Sequence, residues 1–227
     1  MGSSIRQRNL WALSGVLFAA LFLASLVLGG VLASGSFPLP GAPATDVTRY
    51  FTESRTAVLV SGSFQVLSAA SLLAFAPCVA SLVRSTENGT GALLGLTLGG
   101  GTLAAIFLLA SALLGWVLAL AAAELGPGLV GTLRSLNFLT GGAAHVASLG
   151  LFVGAASIAA LGAKALPRWI LGLGVVAATL SILSLVSLLW FPATILLPLG
   201  RLLSLVWSIA LGLVLALGRR RDPDAGL

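Results

Sequence analysis

Charge is what this sequence has least of. Only 8% of its 227 residues are Asp, Glu, Lys or Arg, and six of those are acidic. With so few charges and a mean hydropathy of +1.11, the chain cannot coat a water-soluble surface. Cysteine and histidine are scarcer still, with Cys78 and His145 the sole examples. One cysteine excludes an intramolecular disulfide and a cysteine-based zinc site. One histidine excludes a bis-histidine haem and a two-histidine metal motif. Every acid lies near the end of an apolar block or in the tail, so no Ser/His/Asp set can be assembled. The expectation is therefore no metal, no cofactor and no enzymatic activity. A net charge of +6 does not point to nucleic acid, because the basic residues are scattered between apolar blocks rather than massed on one face.

What the sequence does have is long apolar runs. Crossing about 30 Å of hydrocarbon at 1.5 Å per residue takes about 20 residues. Six runs meet that length, which predicts an all-α polytopic transmembrane helix bundle. Residues 1–227 read as a single transmembrane domain, with spans near 10–34, 57–83, 91–123, 133–162, 169–190 and 197–217. The run Leu10 to Ala33 is too long for the apolar stretch of a typical signal peptide, so it reads as a span and not a cleaved leader. One connector is long. "SFPLPGAP" is a proline-rich extended start, and "ATDVTRYFTESR" after it reads as a short amphipathic helix with Thr45 as N-cap.

The basic residues suggest the threading. With both termini cytoplasmic, Arg6, Arg8, Arg84, Lys164, Arg168, Arg219, Arg220 and Arg221 are inside, and Arg49, Arg55, Arg134 and Arg201 are outside. That distribution satisfies the positive-inside rule and predicts a multi-pass cell-membrane protein. It also places Trp11 and Trp169 at the inner interface and Trp190 near the outer one.

Two motif matches carry no weight. "GLGVVA" at 172–177 has the glycine spacing of a dinucleotide-binding turn but no preceding strand and no acid about 20 residues on. "NGT" at Asn88 is a glycosylation sequon that this threading puts on the cytoplasmic side. The small residues mean more. Gly91, Gly95 and Gly99 recur every four residues, as do Gly150 and Gly154. In lipid such ridges let helix backbones approach closely, so both are expected to be helix contacts. Gly99 to Gly101 reads as packing rather than a hinge, and Pro77 as a kink in the second span.

The stretch "LRSLNFLTGGAAHVASLG" gathers Arg134, Asn137 and His145 on one apolar span. At 100° per residue, Arg134, Asn137, Gly141, His145 and Ser148 fall within an arc of about 80°. Ionisable groups inside a membrane turn to the bundle interior or a wet cavity, so the stripe should face inward. Gln65, at a similar depth on the second span, is the expected hydrogen-bond partner of His145. Arg55, Arg134 and Arg201 should then ring an outer mouth, neutralised by Asp46, Glu53 and Glu124, with the even-numbered spans turning polar faces to one another.

The layout of "FTESRTAVLVSGSFQVLSAASLLAF", "GLTLGGGTLAAIFLLASALLG" and "AALGAKALPRWILGLGVVAATLSILSL" resembles a group of small, uncharacterised six-span membrane proteins of actinobacteria. The resemblance implies a plasma-membrane bundle and brings no activity or site residue with it. Three readings of function follow from the residues. The first is a non-enzymatic membrane component acting through helix packing or a membrane-protein partner. The second is a transporter or receptor with an outward-facing pocket for a lipid or another small anionic or amphipathic ligand. The third, an enzyme, is disfavoured because acid-base work would rest on His145 alone. The lipid bilayer is a partner in all three.

Overall fold

In hydrocarbon a helix pairs each backbone N–H and C=O within its own segment, so long apolar runs become helices. The structure, a computed structural model, describes residues 11–87, 89, 91–161 and 166–217. Seven helices organise them: α1 (Ser14–Leu32), the short α2 (Ala44–Glu53), α3 (Arg55–Arg84), α4 (Gly91–Ala121), α5 (Pro127–Ala160), α6 (Arg168–Leu188) and α7 (Phe191–Leu217). No strand occurs among the described residues. All but α2 are long and apolar enough to cross a membrane, which is consistent with a multi-pass membrane protein. Arg6, Arg8, Lys164, Arg219, Arg220, Arg221 and the sequon residue Asn88 lie outside the described residues.

Two helices start earlier than their apolar runs suggest. α5 begins at Pro127, whose missing N–H costs nothing at a first helical position, so the polar flank before Leu133 is already helical. α7 opens with a tight 3-10 turn, Phe191–Ile195, that carries Pro192. α2 starts behind Pro43 with no side-chain cap, so Thr45 is an ordinary first-turn residue and not the cap. α3 continues through Pro77, and α4 runs unbroken through its three consecutive glycines.

Each long helix packs against the next in sequence, and α7 returns to α1 to close a ring. α5 is the most enclosed, with 78% of its apolar segment buried against 28% for α1. At the core, Phe152 of α5 meets Phe75 of α3 and Trp207 of α7 edge-to-face, at 6.0 and 5.7 Å between ring centres.

The glycine ridges divide. On α5, a Cβ at Gly150 would lie 2.6 Å from Ser181 Cβ and one at Gly154 would lie 2.8 Å from Ala178 Cβ, so both face α6 at close range. On α4 the expectation fails, because Gly91, Gly95 and Gly99 are exposed with nothing within 4 Å of an added Cβ. The buried seam of α4 runs instead through Thr97, Gly100, Gly101, Ala104 and Leu108. Gly95 and Gly100 are five residues apart, about 140° around the helix, so a contact at one turns the other outward.

Candidate functional site

A cavity of about 770 Å³ opens at the end of the bundle that carries α2. Its walls come from α1, α3, α4, α5 and α7, and its roof from residues 35–37, 39 and 40 with Tyr50 and Phe51 of α2. Most of the lining is apolar, and into it project Arg134, Asn137, Gln65 and Arg201. The odd-numbered helices α3, α5 and α7, which are the second, fourth and sixth spans, do converge here. They do not do so alone, since Phe22 of α1 and Ser111 of α4 also line the space.

Arg134 is buried, at 4% exposure. Its Nη2 donates to the Pro38 carbonyl (2.6 Å) and its Nη1 to Asn137 Oδ1 (3.5 Å), while the Phe37 ring sits 4.5 Å from the guanidinium carbon. One arginine on α5 thus latches the roof. Asn137 in turn donates to the Ser111 carbonyl (2.7 Å) and hydroxyl (3.2 Å) of α4, and the Ser111 hydroxyl donates to the Asn137 carbonyl (3.1 Å).

Arg201 reaches across from α7. It donates to the Gly141 carbonyl, and its guanidinium carbon lies 5.0 Å from the centre of the Phe22 ring. Gly141 belongs to a π-helical turn, Thr140–Ala144, set within α5. Such a turn widens the helix and frees carbonyls from the ordinary ladder, which leaves an acceptor for Arg201 to take.

Neither arginine has an acidic partner among the described residues. The one ion pair among the described residues joins Arg49 and Asp46 at 3.0 Å on the exposed side of α2, while Glu53 and Glu124 are exposed. Tyr50, beside Arg134, offers no negative charge: burial pushes its phenol above the ordinary value, and the Arg134 charge opposes that only in part. The Nε atoms of both arginines are buried without a hydrogen-bond partner. A cation removed from water and not neutralised is costly. The Arg134 guanidinium at Asn137 and the Arg201 guanidinium at Gly141 line the same cavity, and a phosphate or carboxylate is the chemical complement of such groups.

Three expected members of the site stand elsewhere or act differently. His145 is fully buried and outside the lining, with its Nδ1 2.8 Å from the Ala104 carbonyl of α4. The π turn explains this, because one extra residue in the turn rotates all that follows by about 100° relative to a regular helix. That rotation carries His145 off the face shared by Arg134 and Asn137 and onto α4, with Phe22 stacked 6.3 Å away. The Gln65 to His145 hydrogen bond is therefore not formed. Gln65 lines the cavity and bonds to no other described residue. Arg55 is exposed and contributes nothing to the lining. Ala57, on the buried face of α3, is two residues on and about 200° around the helix, so Arg55 faces away.

Ser111, Phe22, Phe37 and Pro38 are members that sequence reasoning missed. Their signal was faint: an aromatic inside the proline-rich connector, and a serine on a helix apolar on every side.

The Asn137 contacts make a prediction. Asn137→Leu loses the bonds to α4 and the contact to Arg134, and costs about 1–2 kcal/mol. Ser111→Ala costs less than half as much, because the stronger bond from Asn137 goes to the Ser111 main chain. Thermal denaturation in detergent reads both, and an equal loss for the two variants contradicts the assignment.

The fold and site together define a helical membrane bundle enclosing a cationic cavity. No family model, curated protein or solved structure matches the chain. The resemblance to small actinobacterial membrane proteins gains no support from these comparisons.

Proposed function

We propose that the protein is a non-enzymatic, multi-pass protein of the cell membrane that binds an anionic amphipathic ligand, as a transporter or receptor. One observation carries this: Arg134 and Arg201 line one largely apolar cavity, with no carboxylate among the described residues to neutralise them. A bundle built for packing alone, or for a partner on its outer face, gains nothing from two such groups. With both termini cytoplasmic, as the eight-to-four distribution of basic residues favours, the cavity opens to the outer face.

Accessibility tests the reading. In a Cys78→Ser background, Gln65→Cys should react with a small impermeant thiol reagent applied outside right-side-out vesicles, and His145→Cys should not. Dodecyl phosphate should slow the reaction at position 65 at least tenfold, and the uncharged dodecyl maltoside should not. No reaction at 65 from outside defeats the outward opening, and no protection by dodecyl phosphate defeats the anion site.

A further inference from the structure

The cavity is not closed on all sides, and where it opens bears on what it holds. Just past its last turn α1 is pinned to the end of α2 and the α2–α3 junction: the Ser34 N–H donates to Ser54 Oγ (3.0 Å) and the Ser34 hydroxyl to the Glu53 carbonyl (3.0 Å). A Cβ at Gly29 would lie 3.2 Å from Ser61 Cβ of α3, so no gap exists on that side. The other side differs. α1 and α7 meet closely at the far end, where a Cβ at Gly212 would lie 2.8 Å from the Ala12 carbonyl. At the cavity end, Leu26 and Gly30 of α1 and Phe191, Thr194 and Pro198 of α7 all line it. Leu26 and Phe191 are 48% and 52% exposed, and nothing lies within 4 Å of a Cβ at Gly30. The cavity therefore reaches the lateral, apolar surface of the bundle between α1 and α7.

Building on the anion-binding reading, we propose that the ligand is an anionic membrane phospholipid that enters sideways, its phosphate between Arg134 and Arg201 and its acyl chain between α1 and α7. The chemistry and the volume agree. A bare phosphate, with four oxygens at roughly 30 Å³ per water-sized group, fills about 120 Å³, a small part of the 770 Å³ available. The remainder is walled by Phe22, Leu26, Leu108, Phe138 and Leu197, which suit hydrocarbon and not a soluble anion. A soluble ligand needs no lateral gap, whereas a lipid keeps its chain in the bilayer through one. Two guanidiniums without acids also repel a choline headgroup, so selection for net negative lipids follows.

Binding to the delipidated full-length protein in detergent tests this, with dioleoyl phosphatidic acid, dioleoyl phosphatidylcholine and glycerol 3-phosphate as probes. The wild type should bind phosphatidic acid at least tenfold more tightly than either of the others. Gly30→Phe, placed in open space, should weaken phosphatidic acid at least tenfold and leave the Kd for glycerol 3-phosphate within twofold. Thr194→Phe narrows the same gap from α7 and should do likewise, a second variant should the first fail to fold. Equal affinity for phosphatidic acid and glycerol 3-phosphate overturns the lipid assignment and leaves an anion site standing. Undiminished phosphatidic acid binding in both variants overturns the lateral path. If the wild type binds none of the three, the anion-binding reading falls with it.

Discussion

Arg201→Met should weaken dodecyl phosphate binding by about tenfold to a hundredfold while the ligand-free Tm holds or rises by about 2–4 °C. The first half follows from the strength of charged hydrogen bonds, about 1.5–3 kcal/mol each, at about 1.4 kcal/mol per tenfold in affinity. The second half follows from the missing counter-charge. Among the described residues Arg201 has one hydrogen bond, to Gly141, and the Phe22 ring, and nothing acidic beside it. Replacing an uncompensated cation with an apolar group of similar length removes its desolvation cost, and methionine keeps contact with the aromatic ring. A group kept for stability would show the opposite sign. If Arg201→Met melts 5 °C or more below the wild type and binds the anion unchanged, Arg201 is a clamp on the π turn and not part of a binding site.

Arg134 cannot separate the two roles in this way. It holds the roof through Pro38 and Phe37 and touches Asn137, so its loss would disturb both the fold and the ligand. Arg201 is the cleaner probe because its contacts are fewer and local to the cavity.

The contrast between these arginines and His145 shows how far periodicity carries. Arg134 and Asn137 share a cavity because α5 is a regular helix up to Leu139. Beyond that point an ideal 100° step is the wrong ruler, because Thr140–Ala144 is wound more loosely. The pair Gly141 and Gly142 was the available sign, since adjacent glycines tolerate such irregularity. The roof was beyond reach for another reason. Pro38 and Arg134 are 96 residues apart, and their bond runs from a side chain to a connector carbonyl that no side-chain pattern marks. The six long helices were legible because length and hydropathy alone specify them. Which face of each looks inward was not, wherever the helix is apolar all round.

α4 is such a helix, and it supplies the second large effect: Gly100→Ala should lower the Tm by roughly 5–10 °C, while Gly95→Leu should leave it unchanged. A methyl group on Gly100 would lie 2.6 Å from the Phe152 backbone nitrogen, 3.0 Å from the Ser148 carbonyl and 3.1 Å from Phe152 Cα. All three are backbone atoms of the most enclosed helix, so no side chain can swing aside and α4 must move away from α5. Overpacking of this kind costs about 1–3 kcal/mol, and in a chain of this size each kcal/mol is worth about 2–4 °C. Forcing α4 outward also strains the bonds between Ser111 and Asn137 farther along the same contact. A Cβ at Gly95 would meet no neighbouring atom within 4 Å, so even a leucine there meets only what surrounds the bundle. The comparison is informative because both glycines lie in one glycine-rich stretch of α4, residues 95–101, and spacing by four favours Gly95 as the contact. Equal destabilisation by the two substitutions would mean that α4 is rotated from the position described, and Ser111 would then no longer face the cavity.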